Sequence, residues 1–148
     1  MPHRVPLRAL ALLLAPLTLT TGACSGVHVD AYPTEPGTTT DCSALLHDLP
    51  HRLAGLDARR VDDDLAGAWG DPAVVLRCGV ERSSRGDCRT VAAQTWRVTP
   101  TSDGTAYLST GRRFAVSVEV PSDHRPSAVL AALVPVLDKH DPGHPEPC

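Results

Sequence analysis

Aromatic residues are scarce in this 148-residue chain, at 3%: two Trp, two Tyr and one Phe. So few rings exclude the stacking platforms that grip single-stranded nucleic acid. Basic excess is missing as well. Fourteen Lys and Arg face 17 Asp and Glu, a net charge of −3, so nothing in the overall field holds a phosphate backbone. Lysine is nearly absent: Lys139 is the only one and the other basic residues are Arg, a bias that fits GC-rich coding. The longest uncharged apolar run, residues 9–20, is 12 residues long. A bilayer-spanning helix needs about 18–20. Enzyme signatures are also missing. The sequence contains no Gly-x-Ser-x-Gly elbow, Ser-x-x-Lys, phosphate loop, dinucleotide fingerprint or Cys-x-x-Cys. Ser122, Asp123 and His124 are consecutive, whereas the members of a catalytic triad converge from separated positions.

What is present begins with an export signal. Arg4 and Arg8 precede the apolar run, and Thr21-Gly22-Ala23 leads into Cys24. A charged start, a short apolar core and small residues make a secretory signal. Small residues placed directly before a cysteine resemble the bacterial lipobox, which implies cleavage before Cys24 and a diacylglyceryl thioether on it, with palmitate-type acyl chains. Plain cleavage after Ala23, giving a secreted protein, is the alternative. Losing residues 1–23 removes Arg4 and Arg8 and no acid, which takes the net charge from −3 to −5. Cysteine parity agrees with lipidation. Of the five cysteines, acylation of Cys24 leaves Cys42, Cys78, Cys88 and Cys148, an even set able to close two disulfides in an oxidising compartment.

The expected organisation is a signal peptide over 1–23, a disordered tether over 24–41 and one disulfide-stapled domain over 42–148. The tether reading rests on Pro33, Pro36, Gly37 and a Thr run. Leu45, Leu46 and Leu49 then take helical spacing up to Pro50. A second turn or helix is expected over 51–60, and Asp62-Asp63-Asp64 is expected to begin another, leading to Trp69. Residues 73–78 read as a buried strand. Strands follow at 88–91 and 95–98, with a bulge at Ala92-Ala93, then a hairpin at 101–104. Residues 114–120 alternate with period two, the mark of a strand with one wet face. Pro126 opens a last helix, which Pro135 should kink. The fold class expected is α+β: a small antiparallel sheet of three to five strands, with N-terminal and C-terminal helices packed on one face.

The stretch Trp69-Gly70-Asp71-Pro72-Ala73-Val74-Val75-Leu76-Arg77-Cys78-Gly79-Val80 is distinctive. Together with Cys42, Leu49-Pro50, Cys88, Trp96, Thr110-Gly111-Arg112 and a Val-rich strand, it makes residues 41–137 resemble an actinobacterial family of small exported proteins, domain of unknown function 3515. The resemblance implies an envelope protein, often lipid-anchored. It brings no catalytic residues.

Four cysteines allow three pairings. The expected one joins Cys78 to Cys88, on the assumption that their strands are antiparallel neighbours, and Cys42 to Cys148, tying the domain's ends. No metal site and no cofactor are expected. His140, His144 and Cys148 are zinc-type ligands, but prolines extend that tail; His47 and His51 flank Pro50; and the Asp62–Asp64 run lacks the rest of a calcium loop. One weak constellation remains. If Arg77, Trp96 and Arg112 share a face, they form a site for an anionic or sugar ligand. The functional expectation is a non-enzymatic binding or interaction module, lipid-anchored at the outer face of the cytoplasmic membrane. Its partner is an envelope protein or cell-wall ligand rather than nucleic acid. The alternative is an enzyme acting on cell-wall or lipid-linked substrates.

Overall fold

The structure is a computed structural model that describes residues 26–144 and Cys148. Helix α1 (Thr39–His47) comes first among its regular elements. Eight strands follow: β1 (Arg52–Leu53), β2 (Leu56–Arg59), β3 (Ala66–Trp69), β4 (Val74–Cys78), β5 (Asp87–Val91), β6 (Gln94–Pro100), β7 (Gly104–Ser109) and β8 (Val116–Pro121). Helix α2 (Pro126–His140) ends the fold.

The strands form one antiparallel sheet in the order β1-β2-β3-β4-β8-β7-β6-β5. Two four-stranded meanders are therefore joined through their last strands, with Leu76 opposite Val118 and Cys78 opposite Val116. The antiparallel sheet with two helices stands; the expected three to five strands do not, nor does the expected arrangement of an N-terminal and a C-terminal helix, because the packed residues 26–38 precede α1. The extra strands come from turns that the sequence conceals. Ala54 and Gly55 both adopt positive φ (50° and 88°), so the chain reverses in two residues and 52–59 is a hairpin, not a helix. Ala92 and Ala93 do the same (52° and 63°), making a tight turn where a bulge was expected. The acids at 62–64 do not start a helix either. Asp63 Oδ1 accepts the Leu65 N–H at 2.7 Å, and the chain enters β3. Helix α2 continues through Pro135, whose ring lies on the exposed side, to His140.

One face of the sheet carries the main core. Val74, Leu76 and Cys78 of β4, Trp96 of β6 and Val116, Val118 and Val120 of β8 cluster with Leu45 of α1 and Leu130, Leu133 and Leu137 of α2. The opposite face is covered over β3 and β4 by the segment expected to be a tether. In its described part that segment is packed. Val29 is 5% exposed and clusters with Ala66, Ala68 and Val75. Backbone bonds fasten both ends: Val27 N–H to Arg60 O (2.7 Å), Glu35 N–H to Gly79 O (2.8 Å) and Glu81 N–H to Pro33 O (2.9 Å). The Tyr32 hydroxyl, set between the Leu65 (3.1 Å) and Cys78 (3.3 Å) carbonyls, donates across the same seam. Val27, Val29 and Tyr32 supply the apolar contacts; their separation by polar residues hides them from a periodicity reading.

The cysteine pairing also differs from expectation: Cys42 joins Cys78 and Cys88 joins Cys148. β4 and β5 are not neighbours, because β8, β7 and β6 lie between them. Four strand spacings put Cys78 and Cys88 about 19 Å apart, beyond any disulfide. Cys42 reaches Cys78 because α1 lies across the end of β4. Gly79 makes room there: its φ is +71°, and a Cβ would lie 2.4 Å from Thr38 Oγ1 and 3.2 Å from Cys42 Sγ.

Two outcomes are expected. Non-reducing peptide mapping should give Cys42–Cys78 and Cys88–Cys148 peptides; a Cys78–Cys88 peptide would contradict the strand order. Ala93→Gly should stabilise the protein by up to about 1 kcal/mol in urea unfolding, because it relieves a left-handed non-glycine residue at an exposed turn.

Candidate functional site on the outer sheet face

The residues expected to form a ligand site do not converge. Trp96 is fully buried among the helix-facing side chains, its indole N–H directed at Val91 O (3.4 Å). Arg112 is also buried. Its Nε donates to Gln94 Oε1 (3.0 Å), Nη2 to Asp138 Oδ1 (2.7 Å) and Nη1 to the Asp141 carbonyl, so its charge is spent on tying α2 and the tail to the sheet. Only Arg77 lies on the outer face. It donates to Glu119 Oε2 at 3.2 Å, and its guanidinium lies 5.9 Å from the centroid of the Tyr32 ring.

Strand register supplies the neighbours that Arg77 does have. Arg77 is opposite Ser117, Ser117 opposite Leu108, Leu108 opposite Arg97, and Arg97 opposite Cys88. Laterally paired residues point to one side, so these five form a row across the outer face. Arg97 was the residue to find. Once Trp96 is assigned to the core, two-residue alternation turns the next residue outward.

The N-terminal segment covers only the β3–β4 half of this face. Beyond its border the row forms the floor of a groove, with loop 81–86 as a wall. A depression of about 630 Å³ takes in Tyr32, Arg77, Arg82, Leu108, Ser117 and Glu119. A second, of about 420 Å³, adjoins it and takes in Arg82, Ser83, Ser84, Arg97, Leu108 and Thr110. Arg82 holds the wall in place: it pairs with Glu35 and donates to the Arg112 and Arg113 carbonyls (2.7 Å each). Burial, together with the charge of Asp63, pushes the Tyr32 phenol up to about 12. At neutral pH it is therefore a neutral donor.

His140 and Cys148, two of the three zinc-type ligands of the tail, are committed elsewhere. His140 Nε2 and Lys139 Nζ bind Asp48 Oδ2 at 2.9 and 2.6 Å, and these contacts with His47 hold the Asp48 carboxyl well below the usual range. Cys148 is in a disulfide with Cys88. Cys24 lies outside the described residues.

Fold and surface together define a small α+β protein stapled by two cystines, with a polar groove on its outer sheet face. The chain belongs to the family described as protein of unknown function, DUF3515, whose model matches residues 4–145. No curated protein and no solved structure matches it.

The start of the packed N-terminal segment is held by a titrating contact. His28 Nδ1 bonds Asp62 Oδ2, and Asp62 Oδ1 accepts the Val29 N–H (2.8 Å). The Asp62 hydrogen bond and charge raise His28 above its usual 6.5, and the His28 and Val29 bonds lower Asp62 below 3.8. The His28 contribution is full below pH 6.5 and is lost as pH rises through its raised pKa. The Asp62 contribution is present above pH 3.8 and is lost as pH falls through its lowered one. Proteolytic nicking within 26–31 should therefore be slowest between about pH 4 and 6.5 and increase above neutrality. Asp62→Asn should flatten that profile; an unchanged profile would refute the contact.

Proposed function

We propose that this protein is a non-enzymatic binding module held at the outer face of the cytoplasmic membrane by a lipid on Cys24, with the outer-face groove as its binding surface. The observation carrying the binding reading is the groove itself. It is a formed concavity on a sheet face left uncovered beside a packed segment, and Glu119 on its floor is occupied by Arg77, while Asp30 and Glu81 stand among its lining residues. The anchor reading rests on the charged start, the 12-residue apolar run and the Thr-Gly-Ala-Cys junction. Two cystines in the folded domain suit an oxidising location.

The packed segment changes what such an anchor would do. Val27 is already bridged to Val61, so three residue steps separate Cys24 from the folded domain, at most about 10 Å of chain. A lipid on Cys24 would hold the domain against the bilayer surface, not on a long leash.

Intact mass of protein from the membrane fraction should show a chain beginning with diacylglyceryl-Cys24, and Cys24→Ser should abolish that species. A wild-type chain that is wholly soluble and starts at another residue would overturn the anchor.

A further inference from the structure

Arg97 stands apart from the other arginines of the groove. Arg77 is neutralised by Glu119 and Arg82 by Glu35. Arg97 uses one nitrogen, Nη1, on two carbonyls of the wall loop: Ser84 O at 2.9 Å and Gly86 O at 3.4 Å. Among the described residues its Nε and Nη2 have no hydrogen-bond partner, and no carboxylate pairs with it. The guanidinium is half-buried and pinned at one corner, with two nitrogens uncommitted. Among the described residues, the 420 Å³ depression it lines with Ser83, Ser84, Thr110 and Cys148 has no Asp or Glu side chain in its lining. The Ser83 oxygen already accepts the Arg85 N–H (3.1 Å), which leaves its hydroxyl proton free to donate. In a chain of net negative charge, an unneutralised arginine in a hydroxyl-lined concavity is the arrangement that takes an oxyanion through charge-assisted, fork-shaped hydrogen bonds.

We infer that the depression between loop 81–86 and strands β6 and β7 is an oxyanion site, in which Arg97 receives a phosphate or carboxylate group of a larger ligand lying along the groove. Leu108, at the junction of the two depressions, gives that ligand an apolar floor. The inference deepens the reading of the groove as a binding surface. It does not depend on the anchor, because the residues that form the site lie in the folded domain.

The test is an NMR titration of the disulfide-intact protein with inorganic phosphate and, separately, with glucuronate. Saturable shifts of the Ser83, Ser84 and Arg97 amides are expected. Saturation by phosphate alone would assign a phosphoryl group, and saturation by glucuronate a sugar carboxylate. Arg97→Gln should weaken binding roughly tenfold or more, and Arg97→Lys should restore part of it. Leu108→Glu leaves residue 97 unchanged but places a carboxylate directly opposite its guanidinium and should abolish binding, which covers the case in which Arg97→Gln loosens the loop. Absence of saturable shifts with either anion, shifts that persist in Leu108→Glu, or shifts scattered over the surface would overturn the site. None of these results bears on Cys24.

Discussion

Strand β4 is buried on both faces, and the rest of the structure is arranged to allow that. Val74, Leu76 and Cys78 point into the helix-covered core, while Val75 points to the opposite side at 8% exposure. A strand this apolar in the middle of a sheet needs cover on two sides. The two helices supply the first. The second falls to residues 26–35, which have no regular secondary structure of their own and hold on through alternating apolar contacts and backbone bonds. The Cys42–Cys78 cystine fixes the end of β4 to α1, so the helical layer and the central strand cannot separate without unfolding.

The groove follows from the limits of that cover. The N-terminal segment spans β3 and β4 and stops, leaving the outer face of β8, β7 and β6 open. Arg77 sits on the border, closed off by Glu119 and Tyr32. The loop from β4 to β5 must travel from the sheet's centre to its far edge, and in doing so it raises the second wall. The path that makes Cys78–Cys88 impossible is the same path that builds the site.

Much of this was legible in the residues, and the rest was hidden for identifiable reasons. The run 73–78 reads as buried strand, and the alternation at 114–120 separates a wet face from a core face. Pro126 marks the start of α2. The turns at Ala54-Gly55 and Ala92-Ala93 were not legible as two-residue reversals, because alanine seldom takes positive φ. A short hairpin at 52–59 therefore resembled a helix, and the sheet was expected to be smaller. The segment 26–38 carries the prolines and polar residues of a tether, and its three anchoring side chains make sense only once β3 and β4 exist to receive them. Trp96 and Arg112 suggested a ligand by their chemistry, but burial gives both to the interior, and Arg97, outward by parity, takes their place.

The account turns on residues 26–35 being a structural layer rather than a leash. Equilibrium urea unfolding of Val29→Asp is its most direct test. A carboxylate forced against Ala66, Ala68 and Val75 should cost about 2–3 kcal/mol, the usual penalty for burying a polar group without a partner. Wild-type stability, within about 0.5 kcal/mol as expected of an exposed site, would mean that the segment does not cover the sheet.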